Sequence, residues 1–137
     1  MILGIGTDLC EVARMEHELA REGAGFRDQV FTAGEIAYCE GMRFPAQHYA
    51  ARFAAKEAVA KALDVAGGER FFWREVEITR DAAGRPGAVL HGSLRQLAEE
   101  RGVGRIVVSL SHTRELAVAC ATVEARVGAE GEGGSSA

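Results

Sequence analysis

Hydrophobic and polar positions change period several times along the chain, and each change marks an element. Residues 1–12, MILGIGTDLCEV, are rich in Ile, Leu and Val and read as a buried strand. Val12, Met15 and Leu19 then recur at spacings of three and four, which predicts an amphipathic helix stopped by Gly23. In FTAGEIAYCEG, which begins at Phe31, Thr32 followed three residues later by Glu35 is a capping-box signature for another helix. A long helix is predicted from Pro45 to about Ala66: proline suits a first helical turn, and Gly67 and Gly68 end it.

The period then shortens to two. WREVEIT alternates Trp73, Glu75, Glu77 and Thr79 against Arg74, Val76 and Ile78, a strand. DAAGRPG is a turn and AVLHG a short second strand. SLRQLAEERG reads as a helix with Leu94 and Leu97 inward and Gly102 as its stop. RIVVSLS and ELAVACATVEA are two strands joined by HTR. Strands at both ends, a helical middle and a late strand pair predict an α+β fold: an antiparallel sheet with a long central helix. The last stretch, GAEGEGGSSA, has no bulky apolar side chain. The expected organisation is therefore one domain over residues 1–126 and a disordered tail over 127–137.

Composition narrows the function classes. A chain of 137 residues suits one domain with a sizeable core, and 47% hydrophobic with 26% charged residues is ordinary for a soluble protein. A net charge of −4 argues against a general nucleic-acid binder while leaving room for a local basic patch. Cys10, Cys39 and Cys120 are scattered with no CxxC spacing, which suggests reduced thiols in a cytoplasmic protein rather than a disulfide framework or zinc site. No apolar run reaches the roughly 20 residues of a membrane helix. The apolar N-terminus has no basic region before it and is interrupted by Asp8, unlike a signal peptide.

RFAAKEAVAKAL, residues 52–63, poses the chemical question. At 100° per residue Ala54, Ala55, Ala58 and Ala62 share a side without bulk, where another backbone can pack close. Arg52 and Lys56 are like charges at i,i+4, destabilising unless something anionic is near. Glu57 and Lys61 are at i,i+4 in the favourable order. That pair reads either as a surface ion pair worth about 0.3–0.5 kcal/mol or as part of a site for phosphate and metal. Asp8 ends the apolar run GIGTD, where a carboxylate is costly unless paired or metal-bound; otherwise it caps the next helix. Mg²⁺ takes one or two carboxylates plus phosphate oxygens and water, so Asp8 and Glu57 could hold it with Lys61 beside the phosphates. Gly4 and Gly6 form no GxGxxG, which excludes a dinucleotide-binding loop.

Four stretches occur in order: GIGTD at 4–8, FTAGE at 31–35, ARFAAKEAVAKAL at 51–63 and VSLSHT at 108–113. Together they resemble the holo-acyl-carrier-protein synthase family, the short bacterial branch of the 4′-phosphopantetheinyl transferases, over about residues 1–125. The specificity lies in the combination; the larger two-lobed branch, about twice as long, fits poorly. The resemblance implies a 4′-phosphopantetheinyl transferase-like fold and transfer of the phosphopantetheine arm of coenzyme A to a serine of apo acyl carrier protein, releasing adenosine 3′,5′-bisphosphate. It implies Asp8 and Glu57 as ligands of Mg²⁺ (or Mn²⁺) and Lys61 at the pyrophosphate, these three forming the catalytic set. It implies Arg52, Lys56 and His112 at the nucleotide, and Ser111 and Thr113 could donate hydrogen bonds to phosphate. Either Glu57 or a water at the metal could then take the serine proton.

The family's carrier proteins are strongly acidic, and Arg14 and Arg21, two turns apart on the first helix with Arg27 shortly after, would form a basic docking face; solvated arginines are the alternative. His112 could equally be an ordinary turn residue. Family members are homotrimers with sites between subunits, and no nucleic acid or membrane is implied. The chain departs from the family in LDVAGGERFF, where Asp64 stands in place of a usual glycine, which bears on the fit of the pantetheine arm. A non-catalytic nucleotide-binding module and a small structural oligomer are the competing classes.

Overall fold

The computed structural model describes residues 1–21, 24–65 and 73–128. Its elements run β1 (Ile2–Glu11), α1 (Val12–Arg21), α2 (Ala24–Val30), α3 (Ala33–Glu40), α4 (Pro45–Ala62), β2 (Val76–Arg80), β3 (Pro86–Leu90), α5 (Gly92–Glu100), β4 (Val103–His112) and β5 (Leu116–Ala125). A three-stranded antiparallel sheet has the order β1-β5-β4, and β2 and β3 form a separate antiparallel pair. The expected α+β architecture with a central helix is what forms.

The alanine side of α4 lies on the inner face of the three-stranded sheet. Ala54, Ala55 and Ala58 are fully buried there with Ala117, Ala119, Ala121 and Val123 of β5. Glycine makes the contact close: a Cβ on Gly4 would stand 1.9 Å from the Ala62 carbonyl oxygen, and one on Gly6 1.9 Å from that of Ala58. Two strand residues rise about 6.6 Å and four helical residues about 6 Å, so strand and helix stay in step. Because the residue number falls along α4 as it rises along β1, Asp8 is carried toward the turn of Glu57.

Several expectations change. Residues 24–30 form α2, whose short length left no readable period; the Gly23 stop lies outside the described residues. The long helix ends at Ala62 rather than Ala66. Asp64 adopts φ 59°, in the left-handed region, and Asp64 and Val65 donate to the Lys61 and Ala60 carbonyls (3.0 and 2.9 Å). This is the paired-bond ending that glycine usually provides, and Arg101 donates to the Leu63 carbonyl beside it. Gly67 and Gly68 lie outside the described residues.

The strand expected from Trp73 starts at Val76, because Trp73–Glu75 form a 3₁₀ turn. The turn aims the Glu75 carboxylate at the start of α5, where it accepts from the Ser93 amide (2.5 Å) and hydroxyl (2.7 Å). β3 runs Pro86–Leu90, so His91 and Gly92 of AVLHG belong to the start of α5 instead. The capping box forms as expected on Thr32 and Glu35. The expected tail lies outside the described residues from position 129 onward. No helix among those described is long and apolar enough to cross a membrane.

Candidate active site

The charged residues of α4 have three different fates. Lys56 is sealed. Its ammonium lies 2.7 Å from Glu35 Oε1 with both side chains fully buried, and it donates to the carbonyls of Val76 (2.5 Å) and Trp73 (3.0 Å). Glu35 Oε1 also accepts from the Thr32 amide, and its Oε2 from that of Ile78 (both 2.8 Å). Burial pushes the Lys56 ammonium below the ordinary lysine range, opposed by Glu35. All three donors of Lys56 are consumed, which corrects its expected place at the coenzyme. The anion that relieves the Arg52–Lys56 stripe at this position is the protein's own Glu35.

At Glu57 and Lys61 the chemistry reverses. Lys61 pairs with Asp8 at 3.1 Å, across the strand–helix gap, and donates to the Thr7 carbonyl (2.9 Å). Among the described residues it makes no ion pair with Glu57, so the surface-pair reading of Glu57 and Lys61 does not hold. The site is open: the Asp8 side chain is 19% exposed and that of Lys61 45%. Burial, and then the nearby Asp8 charge, push the Glu57 carboxyl above its ordinary range, with Lys61 opposing. Two carboxylates thus stand in a like-charge conflict that a divalent cation would relieve. Among the described residues no three or more His, Cys, Asp or Glu group to hold a metal. Two carboxylates fit a hard cation that completes its shell with substrate phosphate and water, and do not fit a structural zinc site.

The third fate is that of Arg52, which is 4% exposed. Its guanidinium lies 3.8 Å over the Tyr38 ring of α3, and its Nε has no hydrogen-bond partner. It lines a cavity of about 240 Å³ with His112, bounded also by Gly84 of the β2–β3 turn and Pro86 at the start of β3. The structure thus brings Arg52 and His112 together. None of Asp8, Glu57 and Lys61 lines that cavity.

Ser111 points to the opposite sheet face from His112, where its cross-strand neighbour is Val118, and so does not join the cavity. Thr113 builds the β4–β5 turn: its hydroxyl accepts from the amides of Leu116 (3.2 Å) and Glu115 (3.3 Å). Burial pushes the thiols of Cys10 and Cys39 up to about 11 and about 12, so neither is a thiolate at neutral pH.

Arg14 is exposed and borders a cavity of about 350 Å³ with Met15, Glu18, Phe26 and Phe53. Arg21 pairs with Glu18 (2.9 Å) and Arg27 with Asp28 (3.2 Å), so acidic neighbours dilute the basic face. Sequence reasoning missed Glu35 as the Lys56 counter-ion and missed His48 and Arg80, which share the Arg52 cavity. His48 stands one helical turn before Arg52, a signal that spacing alone contained.

Comparison with known proteins places the chain in a family. Residues 4–121 match the model of the 4′-phosphopantetheinyl transferase superfamily. The holo-[acyl-carrier-protein] synthase of Moorella thermoacetica is 47% identical over 130 residues, covering 95% of this chain and all of the relative. The crystal structure of holo-[acyl-carrier-protein] synthase from Neisseria meningitidis superposes with a TM-score of 0.81 at 33% identity, covering 90% of this chain and 99% of that one. The Helicobacter pylori holo-[acyl-carrier-protein] synthase in complex with coenzyme A gives 0.78 at 26% identity, covering 88% and 99%.

Proposed function

This chain belongs to the 4′-phosphopantetheinyl transferase superfamily and is a transferase, and we propose that it loads an apo acyl carrier protein with the 4′-phosphopantetheine arm of coenzyme A. The observation that carries the reading is the Asp8–Glu57–Lys61 cluster, two half-buried carboxylates and a lysine assembled from strand and helix at an open site. The carrier's serine oxygen attacks the pantetheine-side phosphorus and gives up its proton to Glu57 or to a water. The bond to the ADP-side phosphate breaks, and adenosine 3′,5′-bisphosphate leaves with the electron pair. Charge spreads over the phosphoryl oxygens, so the protein's task is positioning and neutralisation. Lys61 meets the pyrophosphate, and Asp8 and Glu57 hold Mg²⁺ or Mn²⁺. When bound, that ion supplies further neutralisation of the phosphoryl oxygens. Arg52 and His112 take the nucleotide end, and Arg14, with Arg21, faces the acidic carrier.

The two ends of the coenzyme then need two clusters that share no cavity in one chain. We assign the chain to a homotrimer in which one copy's Asp8–Glu57–Lys61 cluster completes another's nucleotide cavity. Support comes from the outer face of the three-stranded sheet, where Ile5 (72%), Leu9 (65%), Val107 and Leu116 stand exposed on neighbouring strands. The three free cysteines suit a cytoplasmic setting.

Mass spectrometry tests the reading. Apo acyl carrier protein, coenzyme A and Mg²⁺ should yield carrier heavier by one phosphopantetheine group. Coenzyme A binding without that gain would leave a nucleotide-binding module, and neither result would leave a structural oligomer.

A further inference from the structure

His48, on α4 one turn before Arg52, meets the His112 ring of β4 edge-on with centroids 5.0 Å apart, and the Tyr38 ring of α3 at 5.8 Å. Arg80 of β2 closes the far side, its guanidinium held by the Tyr38 hydroxyl (2.5 Å) and the Gly84 carbonyl (2.8 Å). Every charged or titratable group lining this cavity among the described residues is basic: His48, Arg52, Arg80 and His112. In a chain of net charge −4, two guanidiniums and two imidazoles converge with no carboxylate among them. Arg52, all but buried, lines the cavity, and its Nε has no hydrogen-bond partner. A buried cation short of hydrogen bonds is costly, and an anion bound in the cavity would offset its charge.

We propose that His48 is a binding residue for the phosphomonoester dianion of the nucleotide and takes up a proton as the dianion binds, so that the chain separates coenzyme A from its 3′-dephospho form by charge. The inference rests on the transferase reading above and deepens it, adding a group and a pH-linked selectivity to the contacts of Arg52 and His112. The groups facing His48 are Tyr38 from α3, Arg80 from β2, His112 from β4 and Arg52 from its own helix. None is acidic. Burial, and then the charges of His112, Arg52 and Arg80, hold the imidazole below its ordinary range while no anion is present. A dianion reverses the sign of the local field and makes the imidazolium favourable. Selectivity for the phosphorylated coenzyme therefore rises as pH falls through the histidine range.

Calorimetric titration with coenzyme A and with dephospho-coenzyme A, at about pH 6.5 and about pH 8, reads the effect. For the wild-type protein the affinity ratio should be about tenfold larger at the lower pH, and buffers of different ionisation heat should reveal proton uptake with coenzyme A alone. His48→Phe, which keeps an aromatic edge against His112, should flatten the pH dependence and lose the uptake. His48→Gln serves if that variant fails to fold. In the wild-type protein, the His48 ring resonance should titrate at higher pH once adenosine 3′,5′-bisphosphate is added. Intact pH dependence in His48→Phe, or a His48 titration unmoved by the nucleotide, overturns the proposal while leaving carrier loading in place. If the wild-type protein binds neither coenzyme, the transferase reading falls first and this proposal with it.

Discussion

Lys56 and Glu57 are neighbours in sequence and opposites in environment. Lys56 points into the core, where Glu35 and two carbonyls use all its donors. Glu57 points to the strand side, where burial and Asp8 both oppose its charge and only Lys61 favours it. A charge whose partners are complete holds architecture together, here α3, α4 and β2. A charge left in conflict at an open surface is where we propose that a cation binds. A helix turns 100° per residue, so one step along α4 crosses from the first regime to the second.

Four experiments bear on this contrast. The largest effect should come from Lys56→Met. Removing one partner of a buried pair leaves Glu35 uncompensated and should cost about 3–5 kcal/mol in urea unfolding. A loss below about 1 kcal/mol would mean that the pair is not the sealed unit described.

Glu57→Gln should do the reverse. Turnover should fall by about two orders of magnitude, and excess EDTA should silence the wild-type protein in the same way. Stability of the metal-free protein should rise at neutral pH. The folded-state carboxyl is held above its unfolded value, so its contribution is present below the unfolded pKa and lost as pH rises through the folded one. A variant with normal rate and normal metal response would return Glu57 to the surface.

Arg14→Glu, on the exposed side of α1, should slow association with the acidic carrier by about tenfold at low salt and leave coenzyme A affinity nearly unchanged. An unaltered KM for the carrier would remove this face from docking. Smallest is Asp64→Gly at the end of α4. Relief of the left-handed backbone should stabilise the fold by about 0.5–1 kcal/mol, partly offset by the freer unfolded chain. Equal stability would show that Asp64 makes good the strain through its own side chain.

Features that depend on local pattern could be read from the order of residues. The capping box on Thr32 and Glu35 was legible because both partners lie within one helical turn. The smooth side of α4 was legible because alanine spacing defines a face, and so was the need for a partner at Asp8, because an isolated carboxylate in an apolar strand is costly. What tertiary structure alone decided was which charge met which. Arg52, Lys56, Glu57 and Lys61 lie within three turns and offer similar spacings, yet Lys56 found Glu35, Lys61 found Asp8 and Arg52 found the ring of Tyr38. Those partners stand on α3 and β1, many residues away, and no period in the chain encodes the distance. The end of α4 followed the same division. Two glycines at 67 and 68 suggested one boundary, while the bonds from Asp64 and Val65, with Arg101 at the Leu63 carbonyl, set another. Long-range pairing chooses among local options of nearly equal energy, and a difference of a few kcal/mol, too small to read from spacing, is enough to decide it.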